Sequence, residues 1–190
     1  DARQGAVPCV RRRRAVKRPL RAIIVWQCWA GLLATGTKTV ENRTWAPRQD
    51  ELRAGEHVAI HAGTRYDEDS WDVCGMLKRE LAPLGRWKST EGAPWPLRSG
   101  KPNPDAEPDG QTPYGAVVGV AVLDDVRREP RSFRDDHGEY ADPWWCGPYG
   151  WYLRDAVAIP AVWCGGARRL WLVEGRVLDD VRERYRAARG

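Results

Sequence analysis

Two short segments of this chain carry side chains suited to recognising a small planar molecule. In Gly36-Thr37-Lys38-Thr39-Val40-Glu41-Asn42-Arg43 an acid stands between two bases. Such a group can be a surface ion-pair ladder, which is common and adds little stability. It can equally offer an acceptor and several donors to the hydrogen-bonding edge of a nucleic-acid base. Spacing alone leaves both open. In a strand, alternation sends Glu41 and Arg43 to one face and Lys38 to the other, unless the twist at the strand start turns Lys38 towards the same cleft. The second segment is Trp144-Trp145-Cys146-Gly147-Pro148-Tyr149-Gly150-Trp151. So many large rings, separated by glycine and proline, cannot all enter the core of one regular element. Glycine lets a backbone approach a ligand and proline stiffens the loop. Rings held in this way can stack on a base, each stack contributing about 1–3 kcal/mol. Any one of Trp144, Tyr149 or Trp151 could instead plug the end of a sheet. With 11 Trp against 1 Phe, tryptophan must also do ordinary core packing.

His61, in His61-Ala62-Gly63 at a strand end, is a further polar candidate, although a lone histidine is commonly a hydrogen-bonded structural residue. No phosphate-binding glycine loop, nucleophile elbow or paired-histidine zinc helix is present in the sequence. Cys28 and Cys146 have no adjacent base in the sequence to activate them. The 5 cysteines are odd in number and lack a C-x-x-C pair, so neither a disulfide framework nor a structural metal is expected. No cofactor is expected either.

The net charge of +5 is unevenly placed. Residues 1–21 hold eight Lys/Arg against Asp1, a sum of +7, so the remainder sums to −2. The expected basic arm, Arg11, Arg12, Arg13, Arg14, Lys17 and Arg18, suits phosphates or another polyanion. A disordered leader over 1–20 is the accompanying expectation. The longest apolar run, Gly115 to Leu123, is far shorter than a membrane span, and no signal-peptide pattern follows the arginines. A cytoplasmic protein without membrane association is expected.

These candidates need a scaffold. Arg21 to Trp26 reads as a buried strand. Trp29, Leu32, Leu33 and Gly36 follow at helical spacing, with Gly36 suited to the left-handed end of the helix. Strands are expected over Lys38 to Trp45, His57 to Ala62, Gly115 to Leu123, Trp151 to Ile159 (ending before Pro160) and Arg168 to Glu174. Gly119 marks a bulge or a sharp coil. Helices are expected over Asp67 to Leu84 and Val177 to Arg189, the latter with an Asp180–Arg184 pair. Residues 85–113, with six prolines and four glycines, read as a loop, and Asp124 to Asp142 as charged and irregular. The fold class is therefore α+β, one domain over 21–190 around a closed or nearly closed sheet.

In this order, Trp26-Gln27-Cys28-Trp29-Ala30, Gly36-x-Lys-x-x-Glu-x-Arg43, Ile60-His61-Ala62-Gly63, Gly115 to Ala121, Trp145-x-Gly-Pro-Tyr-Gly-Trp151 and Leu170 to Val173 resemble the ASCH family over about residues 21–174. The resemblance implies a PUA-like fold, a small β-barrel with peripheral helices and a cleft between barrel and first helix, whose relatives bind RNA or read modified or flipped bases. It places Lys38, Glu41 and Arg43 in the cleft with Gln27 and Trp29, and His61, Tyr149 and Trp151 as walls. The implied function is a nucleic-acid-binding module for RNA or DNA. Two alternatives remain: a hydrolase on a modified nucleoside or RNA, with Lys38 and Glu41 as catalysts, and a regulatory domain binding a protein partner through its tryptophans. Some small ASCH proteins resemble an amidohydrolase with a threonine nucleophile three residues after the lysine, and ribonuclease activity is associated with others. Here that position is Glu41, and Thr39 adjoins the lysine. The chain also has Cys28 where the family usually has proline.

Overall fold

The computed structural model describes residues 19–67, 76, 78, 79, 82, 113–135 and 138–190. The basic arm, nearly all of the expected helix from Asp67 to Leu84 and almost all of the proline-rich segment lie outside the described residues. Six strands form one mixed sheet: β1 (Arg21–Gln27), β2 (Val40–Arg43), β3 (His57–Tyr66), β4 (Ala116–Arg127), β7 (Tyr149–Trp163) and β8 (Leu170–Leu172), in the order β2-β7-β4-β3-β1-β8. The strands β5 (Ser132–Asp135) and β6 (Gly138–Ala141) pair as a separate hairpin. Helix α1 (Trp29–Ala34) lies against one face and α2 (Gly175–Arg189) against the other. The architecture is α+β.

The central strands are apolar on both sides because both sides are covered, which turns the expected period of two into a continuous run. From β4, Val118, Ala121 and Leu123 join the α1-side core, with Ile23, Leu33, Ile60 and Trp151. Val117 and Val120 join the other core, where Val181 of α2 packs on Ala22, Ile159 and Val162. Gly119 sits at a register shift of β4 against both neighbours, as its sequence position suggested. Its packing reason is α1: a Cβ there would stand 2.6 Å from Ala34 Cβ. The end of α1 also follows the sequence reading, with Gly36 at φ 71 and its N–H donating to Leu33 O.

Four expectations need correction. The sheet does not close: β2 and β8 are its two free ends and do not pair. Side chains span the gap instead. Arg43 of β2 donates to the Ile24 carbonyl of β1, and the Arg169 guanidinium lies 5.0 Å from the Trp45 ring centroid. Second, β7 runs on through Pro160 to Trp163. Between the pairs Ala158↔Gly119 and Val162↔Val117, β7 carries extra residues, so Pro160 falls in a bulge where no ladder N–H is required. Third, the charged stretch after Leu123 extends β4 and forms the β5–β6 hairpin; its strands lack the apolar alternation that reveals a strand in sequence. Fourth, Asp180 faces Arg176 at 3.9 Å, while Arg184 donates to the Pro160 and Ala161 carbonyls.

Candidate functional site

A cleft of about 570 Å³ opens where the ends of β1 and β3, the start of α1, β2 and the 143–146 loop meet. Its polar wall is Lys38, Glu41 and Arg43, with Asn42 and Asp67. Its aromatic wall is Trp26, Trp29 and Trp144. Lys38 shares this space with Glu41 because it precedes β2, where strict strand alternation does not yet apply. Two long-range bonds fix the 143–146 loop to β2: Asn42 Nδ2 donates to Trp144 O at 2.7 Å, and Cys146 N donates to Asn42 Oδ1 at 2.9 Å. Residues about a hundred positions apart thus form one concavity.

In the polar wall Lys38 and Glu41 are buried, Arg43 is half-buried, and the three are paired. Glu41 lies 3.0 Å from Arg43 Nη2 and 3.8 Å from Lys38 Nζ. The Lys38 ammonium also donates to Val40 O and lies 5.8 Å from the Trp29 ring centroid. Burial pushes Lys38 below its ordinary 10.5, against the opposing pull of Glu41, Cys146 and Asp142. The buried Arg43 Nε has no partner, leaving an unused donor on a residue that lines the cleft. Trp29 Nε1 donates to Asp67 Oδ2 at 2.8 Å, and Trp29 meets Trp144 edge to face at 6.5 Å. Two cations therefore face two carboxylates in the lining, which suits a neutral polar heterocycle better than a phosphate.

Of the residues singled out in the sequence, Trp29, Lys38, Glu41, Arg43 and Trp144 line this cleft, whereas Gln27, His61, Tyr149 and Trp151 do not. Gln27 is wholly buried: its Oε1 accepts from Gly31 N at 3.1 Å and its Nε2 donates to Pro113 O at 2.7 Å, joining the first turn of α1 to the approach to β4. His61 is buried beside Trp171, with Nε2 2.9 Å from Cys164 O, and burial lowers its pKa. Tyr149, paired with Arg43 across the β2–β7 ladder, accepts through its OH from Arg128 Nη2 at 2.5 Å. Trp151 has no exposed surface; it packs edge to face on Trp45 at 4.9 Å and donates to Trp45 O at 3.1 Å. The loop glycines serve internal packing: Cβ atoms would stand 2.6 Å from the Trp145 ring at Gly150 and 3.0 Å from Asn42 Cβ at Gly147.

Sequence reasoning passed over Trp26, Asn42 and Asp67 and set Cys146 aside for want of an activating base, yet all four line the cleft. Trp26 is the most telling omission, being 46% exposed with the Arg65 guanidinium 5.8 Å from its ring centroid. Strand parity carried the signal, since Ile23, Val25 and Gln27 turn inward and Trp26 must point the other way. Nothing in the spacing of Asn42 or Asp67 ties them to the tryptophans. Among the described residues no cluster of His, Cys, Asp or Glu is arranged to hold a metal, and no helix is long and apolar enough to cross a membrane.

No protein-family model matches the chain, and no curated protein sequence does. Among solved structures, three similar ones are of ASCH from Zymomonas mobilis, two of them mutant proteins. One mutant has 13% identity and a TM-score of 0.44, covering 88% of this chain and 96% of that one. The structure described simply as ASCH has 11% identity and a TM-score of 0.44, over 87% of this chain and 94% of that one. The other mutant has 12% identity and a TM-score of 0.44, over 87% and 98%.

Proposed function

We infer that the cleft receives a single nucleobase of RNA or DNA, unstacked from its neighbours, and that the protein is a nucleic-acid-binding module. One observation carries this reading: the Lys38–Glu41–Arg43 group and three tryptophans line the same concavity. The family resemblance of the sequence points the same way. In this reading Trp26 stacks on the base, Glu41 accepts from its edge, and Lys38 and Arg43 meet its polar groups. The charge balance of the lining leaves the phosphates to the basic arm, which adds affinity that falls with salt. The test is a titration of tryptophan fluorescence with nucleosides and short oligonucleotides at several salt concentrations. Binding should be lost in Glu41→Ala, and its salt dependence should flatten when Arg11–Arg14 become glutamine. Unchanged binding in Glu41→Ala would refute the assignment.

A second reading is favoured by the lowered pKa of Lys38, since a buried amine that yields its proton more readily can act as a general base. Hydrolysis of a modified nucleoside or of RNA is then the activity. Mass analysis of modified nucleosides and RNA after incubation, compared with Lys38→Ala, separates turnover from binding.

A further inference from the structure

A second concavity, of about 630 Å³, lies under α2 at the other end of β1 and β3 from the cleft. Its floor is apolar, with Leu20, Val120 and Val181. Its rim carries Arg182 and Arg186, one helical turn apart. The remaining arginines of α2 with contacts are engaged: Arg176 with Asp180, Arg184 with two carbonyls, Arg189 with Tyr185 OH. Arg182 and Arg186 are exposed and have no ion partner among the described residues. Glu56, the acid in the lining, accepts from its own turn at Arg53 N, 2.9 Å away. His57 and Tyr185 close one side, ring centroids 5.7 Å apart.

We propose that this groove binds a small organic phosphate, a phosphate monoester whose apolar body rests on Leu20, Val120 and Val181 while Arg182 and Arg186 hold its phosphate. The chemistry follows from the two halves of the site. Guanidinium groups match phosphate oxygens in forked pairs, and two from adjacent turns converge on one anion. A concavity of this volume with an apolar floor and few polar groups suits a small molecule. A nucleic-acid backbone, polar along its length, would leave that floor unfilled. The site stands apart from the cleft and does not depend on what the cleft binds.

The experiment is a titration of the full chain with phenyl phosphate and with inorganic phosphate, followed by backbone amide NMR and calorimetry. Phenyl phosphate should move the signals of Leu20, Val120, Val181 and Arg186, and bind at least tenfold more tightly than inorganic phosphate. The double variant Arg182→Gln/Arg186→Gln, altering exposed side chains, should weaken it at least tenfold with an unchanged melting temperature. Absence of binding, equal affinity for the two probes, an unaffected double variant, or shifts confined to Val25 and Trp144 would each overturn the proposal. The mapping on the unsubstituted chain decides the matter even if the variant is unstable.

Discussion

Two sets of tryptophans in this protein have the same chemistry and different surroundings. Trp26, Trp29 and Trp144 border a cleft whose other wall is charged, Trp26 exposed there and Trp144 largely buried among Cys28, Leu32, Val40 and Tyr152. Trp45 and Trp151 pack edge to face, with Trp151 fully enclosed by Ile23, Leu33, Leu123 and their neighbours. Trp144 and Trp151 come from one aromatic stretch of the chain. What separates them is backbone environment: Trp151 is an inward position of β7, while Trp144 precedes the strand on a loop tied to Asn42. Local density of aromatic residues therefore marks neither a ligand site nor a core.

The comparison can be broken by substitution. Trp151→Ala empties a core position and should cost about 3–5 kcal/mol of stability, read from urea unfolding. A well-folded Trp151→Ala protein with altered base preference would instead return Trp151 to the binding site. Glu41→Ala strands the buried Lys38 and the half-buried Arg43 and should cost about 3 kcal/mol in the same measurement, along with ligand binding. A neutral effect would mean that the polar wall is a solvated ladder. Trp26→Ala should change stability by no more than about 0.5 kcal/mol, while weakening nucleoside binding by about 1–3 kcal/mol. Equal loss of binding and stability would place Trp26 with the core set.

The smallest effect sharpens the polar side. Because the folded chain holds Lys38 below 10.5, the unfolded chain binds more protons between that lowered value and 10.5. Stability contributed at this site therefore rises with pH across that window. Lys38→Met should flatten the rise relative to the parent protein in unfolding midpoints measured at increasing pH. An identical slope in both proteins would show that Lys38 titrates as if in water.

Much of the scaffold was legible because its signals are local. The β-branched run at Ile23–Val25, the helical spacing of Trp29, Leu32 and Leu33, and Gly36 at the helix end each depend on neighbours a few residues away. Charged strands such as β5 and β6 were hidden because their pairing, unlike burial, leaves no apolar period. The same limit applied to Gln27 and His61, polar residues whose partners, Pro113 and Cys164, lie far along the chain.

By itself the sequence determined the α+β class and where the principal strands fall along the chain, since these depend on period and composition; whether Lys38 shares a face with Glu41 and Arg43 it left open. Tertiary structure alone decided that Trp26 joins the cleft, that Trp151 and His61 are enclosed, and that the sheet stays open between β2 and β8. The physical reason is that enclosure depends on what the coiled sheet brings from distant positions, and strand register and packing are collective properties of the folded chain.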